Sequence, residues 1–141
     1  MTVRLDPKLR YLAELAARKQ RRTVSSFIEW AIEESLKQIL PCDDATTVNR
    51  TMAGRANELW DVDEADRFAK LALRFPHMLT HDEQLVWKLV CEISSFWRRY
   101  ANGTWEIEEN MLIFERLRKE WTTLREVARG AKTSGDLIYF D

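Results

Sequence analysis

The first forty residues constrain the fold most, because they place one short strand pattern ahead of two helix patterns. Polar and apolar side chains alternate at the N-terminus, so Val3 and Leu5 share one face of a strand. Thr2 and Arg4 share the opposite face. A strand of about four residues is unstable alone, and no neighbouring segment has a strand pattern with which it could pair. We therefore expect this strand to pair with the same strand of a second copy about a two-fold axis.

Two amphipathic helices are predicted after the strand. Asp6 can accept a hydrogen bond from a free amide of the first turn, and Pro7 fits the first helical position. That helix ends in a basic turn at residues 18–22. Thr23 is a favourable N-cap for the second helix, which Pro41 closes. The apolar positions recur at the helical period, at Leu9, Leu12, Leu15 and Ala16 and then at Val24, Phe27, Ile28, Ala31, Ile32, Leu36 and Ile39.

The segment VRLDPKLRYLAELAARKQRRTVSSFIEWAIEESL resembles the ribbon-helix-helix superfamily, which includes the Arc, MetJ and CopG repressors. The matching features are the strand TVRLD, the proline after it, the basic turn and the second helix TVSSFIEWAIEE. Many members have glycine in the turn, where this chain has Gln20 or Arg21. The resemblance covers roughly the first forty residues, where strand, cap and helix patterns agree. It implies a homodimer whose antiparallel ribbon reads DNA.

A two-stranded ribbon fits the major groove of DNA, and its exposed face provides candidate base contacts. Arg4 can donate two bonds to guanine, and Thr2 can bond a base edge or touch a thymine methyl. Candidate phosphate contacts lie at the start of the second helix, where free amides can hold an oxygen: Arg21, Arg22, Thr23, Val24 and Ser25. The expected dimer core is apolar and draws on the strand and both helices: Val3, Leu5, Leu9, Leu12, Phe27, Ile28, Ala31 and Ile32.

The charge is divided unevenly along the chain. Residues 1–40 carry a net charge of +3 and the remainder −4, within a total of −1. A dimer would double the positive charge of residues 1–40, which favours binding to the phosphate backbone of DNA. The acidic remainder is expected to stay off the DNA. With no apolar run long enough to span a membrane and no apolar leader, a cytoplasmic, nucleoid-associated protein of bacterial, phage or plasmid origin is expected.

The whole chain is predicted to be mainly α: a ribbon-helix-helix module with one short intermolecular strand and two helices, then an all-helical domain. The predicted boundaries are a DNA-binding and dimerisation module at 1–40, a linker at 41–47, and a C-terminal interaction domain at 48–141. That domain is expected to hold about four helices, at 48–59, from an Asp61 cap to Phe75, from a Thr80 cap to about Ala101, and at about 107–129. An apolar tail at 137–140 is expected to dock.

Five tryptophans lie in this C-terminal domain: Trp60, Trp87, Trp97, Trp105 and Trp121. Aromatic residues at helical spacing usually fill a core or an interface, and we expect that here rather than a ligand pocket. His77 and His81 are four residues apart, but the expected cap at Thr80 keeps them off a common helix, so no metal site is predicted. No nucleophile motif or phosphate loop indicates an enzyme, and no cofactor is expected. Cys42 and Cys91 are expected to be free thiols.

The expected function is transcriptional repression by a homodimer bound to a pseudo-palindromic site in double-stranded DNA. Dimers could pair further on the DNA, and residues 48–141 could bind a protein partner. Three alternatives stay open: an antitoxin of a toxin-antitoxin pair, a relaxosome or partition accessory protein, and an adaptor that keeps the fold only to dimerise.

Overall fold

The computed structural model describes residues 1–41 and 51–139, which belong to two compact units. The first unit is Met1–Ala56 and the second is Asn57–Asp141. Apart from Pro41, the predicted linker lies outside the described residues, and so does the predicted start of the C-terminal domain. Among the described residues, no helix combines the length and the apolar character that crossing a bilayer requires.

The first unit contains a helical hairpin of α1 (Pro7–Lys19) and α2 (Val24–Leu36). The Asp6 carboxylate accepts hydrogen bonds from the amides of Lys8 and Leu9 at 3.1 and 3.4 Å. The Thr23 hydroxyl oxygen accepts one from the amide of Ser26 at 3.1 Å. Both predicted N-caps are therefore confirmed. The second helix ends at Leu36, short of Pro41, and a tight turn follows it.

The predicted ribbon strand is not confirmed, because residues 1–6 lie in neither a helix nor a strand. Val3 is 67% exposed and Leu5 is half-buried. A strand is completed by hydrogen bonds to a second strand, and the described part of this chain holds none that could pair with residues 2–5. The ribbon stays a prediction that requires a second copy.

The second unit is built around three helices, α4 (Glu64–Arg74), α5 (His81–Glu92) and α6 (Phe114–Ala128). The one-turn helix α3 (Ala56–Leu59) begins at its boundary. Both α4 and α5 pack against α6, and the core they share is almost entirely apolar. Short 3-10 helices lie in the connecting segments of this unit, at Pro76–Met78, Ser94–Phe96, Glu109–Met111 and Ser134–Asp136. Another lies at the end of the first unit, at Ala53–Arg55.

One of the two predicted capping boxes is correct. Thr80 and Glu83 bond each other's amides at the start of α5, as the sequence predicts. The predicted cap at Asp61 is wrong, because Asp63 accepts the amides of the first turn of α4. Asp61 instead accepts from the amide of Asp63 at 2.9 Å and pairs with Lys70 at 2.9 Å. Both aspartates are good caps, so the sequence alone does not choose between them.

The helix predicted to reach Ala101 ends at Glu92, where the chain turns back on itself. The carbonyl of Val90, among the last four of α5, has no partner within the helix. It accepts a 2.8 Å bond from the indole N–H of Trp97, which is 2% exposed. Phe96 is also fully buried. These apolar positions keep the helical period, so the pattern does not distinguish a longer helix from a chain reversal.

The last helix begins at Phe114 rather than near residue 107, because the preceding segment pairs with the chain after α5. Trp97 and Leu112 form an antiparallel bridge. The Ile113 amide donates to the Phe96 carbonyl at 2.7 Å. Gly103, at φ +84°, closes the turn between the two paired segments instead of ending a helix. Gly130, at φ +78°, follows the end of α6 as predicted.

Three of the five tryptophans fit the predicted core role, and two do not. Trp97 is buried, and Trp87 and Trp121 pack against the core. Trp60 is 64% exposed, and Trp105 is exposed too. The tail does dock: Leu137 joins the core, and the amide after it donates to the buried carboxylate of Glu120 at 2.9 Å. Phe140 lies outside the described residues.

Replacing the buried indole should destabilise the second unit. Trp97→Phe removes the indole N–H that bonds the Val90 carbonyl and leaves unfilled volume, so we expect a loss of about 2 to 3 kcal/mol. Urea denaturation followed by far-ultraviolet circular dichroism measures it. Trp60→Phe is the matched control and should stay within about 0.5 kcal/mol of wild type. Equal losses in the two variants would contradict the role given to the Trp97 bond.

Candidate nucleic-acid interface

The turn between α1 and α2 closes the first helix with a Schellman motif. The amide of Arg22 donates to the carbonyl of Ala17 at 3.0 Å, and the amide of Arg21 donates to that of Arg18 at 3.1 Å. Arg21 adopts φ +54°, a left-handed conformation that glycine usually supplies. Among the described residues it is the one non-glycine with positive φ. The turn thus has the geometry of a glycine turn with a cation in the glycine position.

The start of α2 presents unsatisfied donors beside that turn. The Thr23 oxygen takes the amide of Ser26, so the amides of Val24 and Ser25 are left without a protein partner in the described structure. The Thr23 hydroxyl can still donate its own proton. Two free amides, a hydroxyl and the positive end of a helix dipole form a geometry suited to a phosphate oxygen.

The cations around this helix start are not neutralised by acidic partners. Arg18, Lys19 and Arg21 are exposed, and none of them makes an ion pair within the described residues. Arg22 packs its guanidinium over the ring of Trp30, 5.5 Å from the centroid. We call these four cations the basic turn. Unpaired charge at one end of a hairpin is available to an external anion such as a nucleic acid backbone.

The hairpin also exposes an apolar groove of about 390 Å³. Leu9 and Ile32 are 55% and 54% exposed, although both belong to the apolar stripes of their helices. Within the two helices of the hairpin, only Ala13 and Ala17 are buried. The hairpin groove is lined by residues of both helices and by one residue of the N-terminal segment: Leu5, Leu9, Ala13, Phe27, Ile28, Ala31, Ile32, Ser35, Leu36 and Ile39.

Most of the predicted dimer core lines this groove. Leu5, Leu9, Phe27, Ile28, Ala31 and Ile32 do so. Val3 and Leu12 do not line it and are exposed elsewhere on the unit. The predicted base contacts Thr2 and Arg4 are exposed in the N-terminal segment, where no strand fixes them to a common face. The structure therefore brings together the phosphate-contact candidates and most of the dimer-core candidates, but it does not order the base-contact pair.

Sequence reasoning missed the role of Trp30. Its ring lies 5.7 Å from that of Phe27 and supports the guanidinium of Arg22, so it orients one cation of the basic turn. The sequence feature that could have indicated this role is that Trp30 is an aromatic residue outside the apolar stripe of α2.

Other chemistry in the described residues is sparse. No group of three His, Cys, Asp or Glu side chains there is arranged to hold a metal ion. The Cys91 thiol is partly buried, and burial raises its pKa to about 11. It is therefore protonated at neutral pH and a poor nucleophile.

Comparisons with protein-family models, with curated proteins and with solved structures give no match for this chain.

Relaxing the left-handed turn should stabilise the hairpin. A non-glycine in this conformation costs roughly 1–2 kcal/mol, part of which glycine's greater unfolded entropy offsets, so Arg21→Gly should gain about 0.5–1 kcal/mol. Denaturation at one fixed protein concentration measures the gain, because association also affects apparent stability. Arg21→Ala loses the same charge but keeps a Cβ, and it should show no gain. A gain of equal size in both variants would assign the effect to charge rather than to backbone strain.

Proposed function

We propose that this chain is a homodimeric, sequence-specific DNA-binding protein of the ribbon-helix-helix type that represses transcription in the cytoplasm. The observation that carries the proposal is the unpaired basic turn beside the free amides of Val24 and Ser25 at the start of α2. An exposed group of cations next to free helix amides is the arrangement that proteins use to hold a DNA backbone.

The exposed hairpin groove supports the dimer in this proposal. A two-helix hairpin that buries little more than Ala13 and Ala17 has too small a core to be stable by itself. A second copy of the same groove would cover Leu9 and Ile32 in both protomers and give each hairpin a core. A two-fold axis makes the contact self-complementary, as closed dimers require.

Base reading is assigned to the N-terminal segment in that dimer. Pairing residues 2–5 with their copies would satisfy the free backbone groups and turn Val3 inward. Thr2 and Arg4 would then project together from the outer face, where a ribbon enters the major groove. The basic turn and the Thr23 cap would contact phosphates on either side and set the orientation of the ribbon without reading sequence.

The second unit is given no part in reading bases in this proposal. It has a hydrophobic core of its own, and the sequence outside residues 1–40 carries a net charge of −4. Its function is expected to be interaction with a protein or another molecule rather than with DNA. Nothing specific in the structure favours the antitoxin, relaxosome or adaptor alternatives over repression.

A charge placed in the hairpin groove should separate the protomers. Ile32→Glu is tolerable in a single chain, where the side chain is exposed, but it would bury an unpaired carboxylate in the dimer. We expect dimerisation to weaken by at least about a hundredfold, or about 3 kcal/mol. Sedimentation equilibrium at micromolar concentration measures this shift.

The matched control is Tyr11→Glu, since Tyr11 is 59% exposed on α1 and does not line the groove. It should leave dimerisation unchanged. A wild-type chain that sediments as a monomer with its first unit helical would refute the dimer.

Base and phosphate contacts should respond differently to the loss of one cation. Arg4→Ala should cost about 1–3 kcal/mol per half-site on a duplex selected from a random library, and much less on a scrambled duplex. Arg21→Ala should weaken binding to both duplexes alike and reduce the salt dependence, because a phosphate contact releases counterions without reading a base. Fluorescence anisotropy titrations at two salt concentrations distinguish the two patterns.

Lys37→Ala provides the matched control, because Lys37 lies beyond the far end of α2 and pairs with Glu34 at 2.6 Å. It should bind both duplexes as wild type does. If Arg4→Ala weakens both duplexes equally, Arg4 is a phosphate contact and the ribbon is not the reader. If the wild-type dimer binds no duplex at low salt, the adaptor alternative replaces repression.

A further inference from the structure

The second unit contains a cavity of about 550 Å³ among α4, α5 and α6. Its walls are mainly apolar and come from all three helices, with Phe68 and Leu71 from α4, Val86 from α5, and Trp121 and Ala128 from α6. Phe68 packs its ring 4.8 Å from that of Trp121. A cavity of this size and composition lies within the range of small-molecule sites, which is about 300–1,000 Å³.

Charged side chains surround the apolar walls, and most of them already have partners. Arg125 pairs with Glu64 at 3.1 Å. Glu83 is held in the capping box at the start of α5. Arg67 donates one N–H to the carbonyl of Asp61 at 3.2 Å and keeps its remaining donors.

Two charged groups at the cavity have no side-chain partner within the described residues, namely Asp82 on α5 and Arg129 at the end of α6. Asp82 lies in the first turn of α5 and Arg129 at the C-cap of α6, so the helix dipole favours the charge of each in the same way. Arg129 offers a complete guanidinium fork, which matches a carboxylate or sulfonate in two parallel bonds. Arg67 also has free N–H donors, so the charged side chains around the cavity offer more free donors for an anion than free acceptors for a cation.

The shape of the cavity favours a small molecule over a protein surface. Its walls come from three helices, so an occupant is enclosed on several sides. A stable protein interface needs about 800 Å² of complementary surface on each partner, and a concave site of this volume serves a compact ligand better.

We propose that the second unit binds a small amphipathic anion, with an apolar, preferably aromatic, body between α4, α5 and α6 and its acidic group at Arg129. This site is independent of the DNA-binding proposal, since every residue that forms it belongs to the second unit.

The test uses two fluorescent probes on the full-length protein. The first, 1-anilinonaphthalene-8-sulfonate, has an aromatic body and one sulfonate, and the second, N-phenyl-1-naphthylamine, is its uncharged parent. Both should bind saturably with one molecule per chain, the sulfonate more tightly. Arg129→Ala should weaken the sulfonate about tenfold and the neutral probe less than twofold, the loss expected for one charged contact.

Arg98→Ala is the matched control for charge, because Arg98 is exposed and does not line the cavity. It should leave both affinities unchanged. Equal effects of Arg129→Ala on the two probes, or no effect on either, would overturn the anionic part of the proposal.

Two variants fill the cavity from different helices, Ala128→Phe from α6 and Leu85→Trp from α5. Each variant that retains the wild-type cooperative melting transition should lose affinity for both probes at least tenfold. A folded filling variant with wild-type affinity would place the probes elsewhere, for example in the hairpin groove, and would overturn the site. Absence of saturable binding to the wild-type protein would overturn it as well.

Discussion

The apolar groove of the helical hairpin is the constraint on which the functional proposal depends. Leu9 and Ile32 lie on the stripes that should form a core, yet each is more than half exposed. A segment of this size gains too little from burial to offset the entropy of ordering its backbone, unless another surface covers the groove. In the proposed dimer a second copy would cover the groove and supply the missing core, and the same two-fold axis would give the N-terminal segment a strand partner.

The second unit, by contrast, buries its apolar side chains in a hydrophobic core of its own. Leu117 and Leu124 of α6 are fully buried between α4 and α5. Asp66 is only 7% exposed, and Arg118 holds it through two bonds of 2.7 and 2.5 Å. This hydrogen bonding to Asp66 raises the pKa of Arg118, so the guanidinium stays charged. The second unit therefore has both a core of its own and a cavity, whereas the apolar groove of the hairpin is exposed.

Local signals in the sequence predicted the local structure well. Asp6, Thr23 and Thr80 cap helices as expected, and Gly130 follows the end of α6. Each of these depends on one side chain and the backbone within a few residues of it. The errors arose where two local solutions were equally good. Either of two aspartates could cap α4, and the apolar period continued past the point where α5 stops.

By itself the sequence determined the capped hairpin, the basic turn and the helical character of the remainder. These features follow from side chains acting on nearby backbone and from charge that is fixed by composition. Tertiary structure alone decided where α5 ends. The carbonyl of Val90 accepts a hydrogen bond from the indole of Trp97, which reaches it only because the chain turns back after α5. Tertiary structure also decided that Trp121 lines a cavity. Such outcomes depend on which distant surfaces meet, and the period of a single helix carries no information about that.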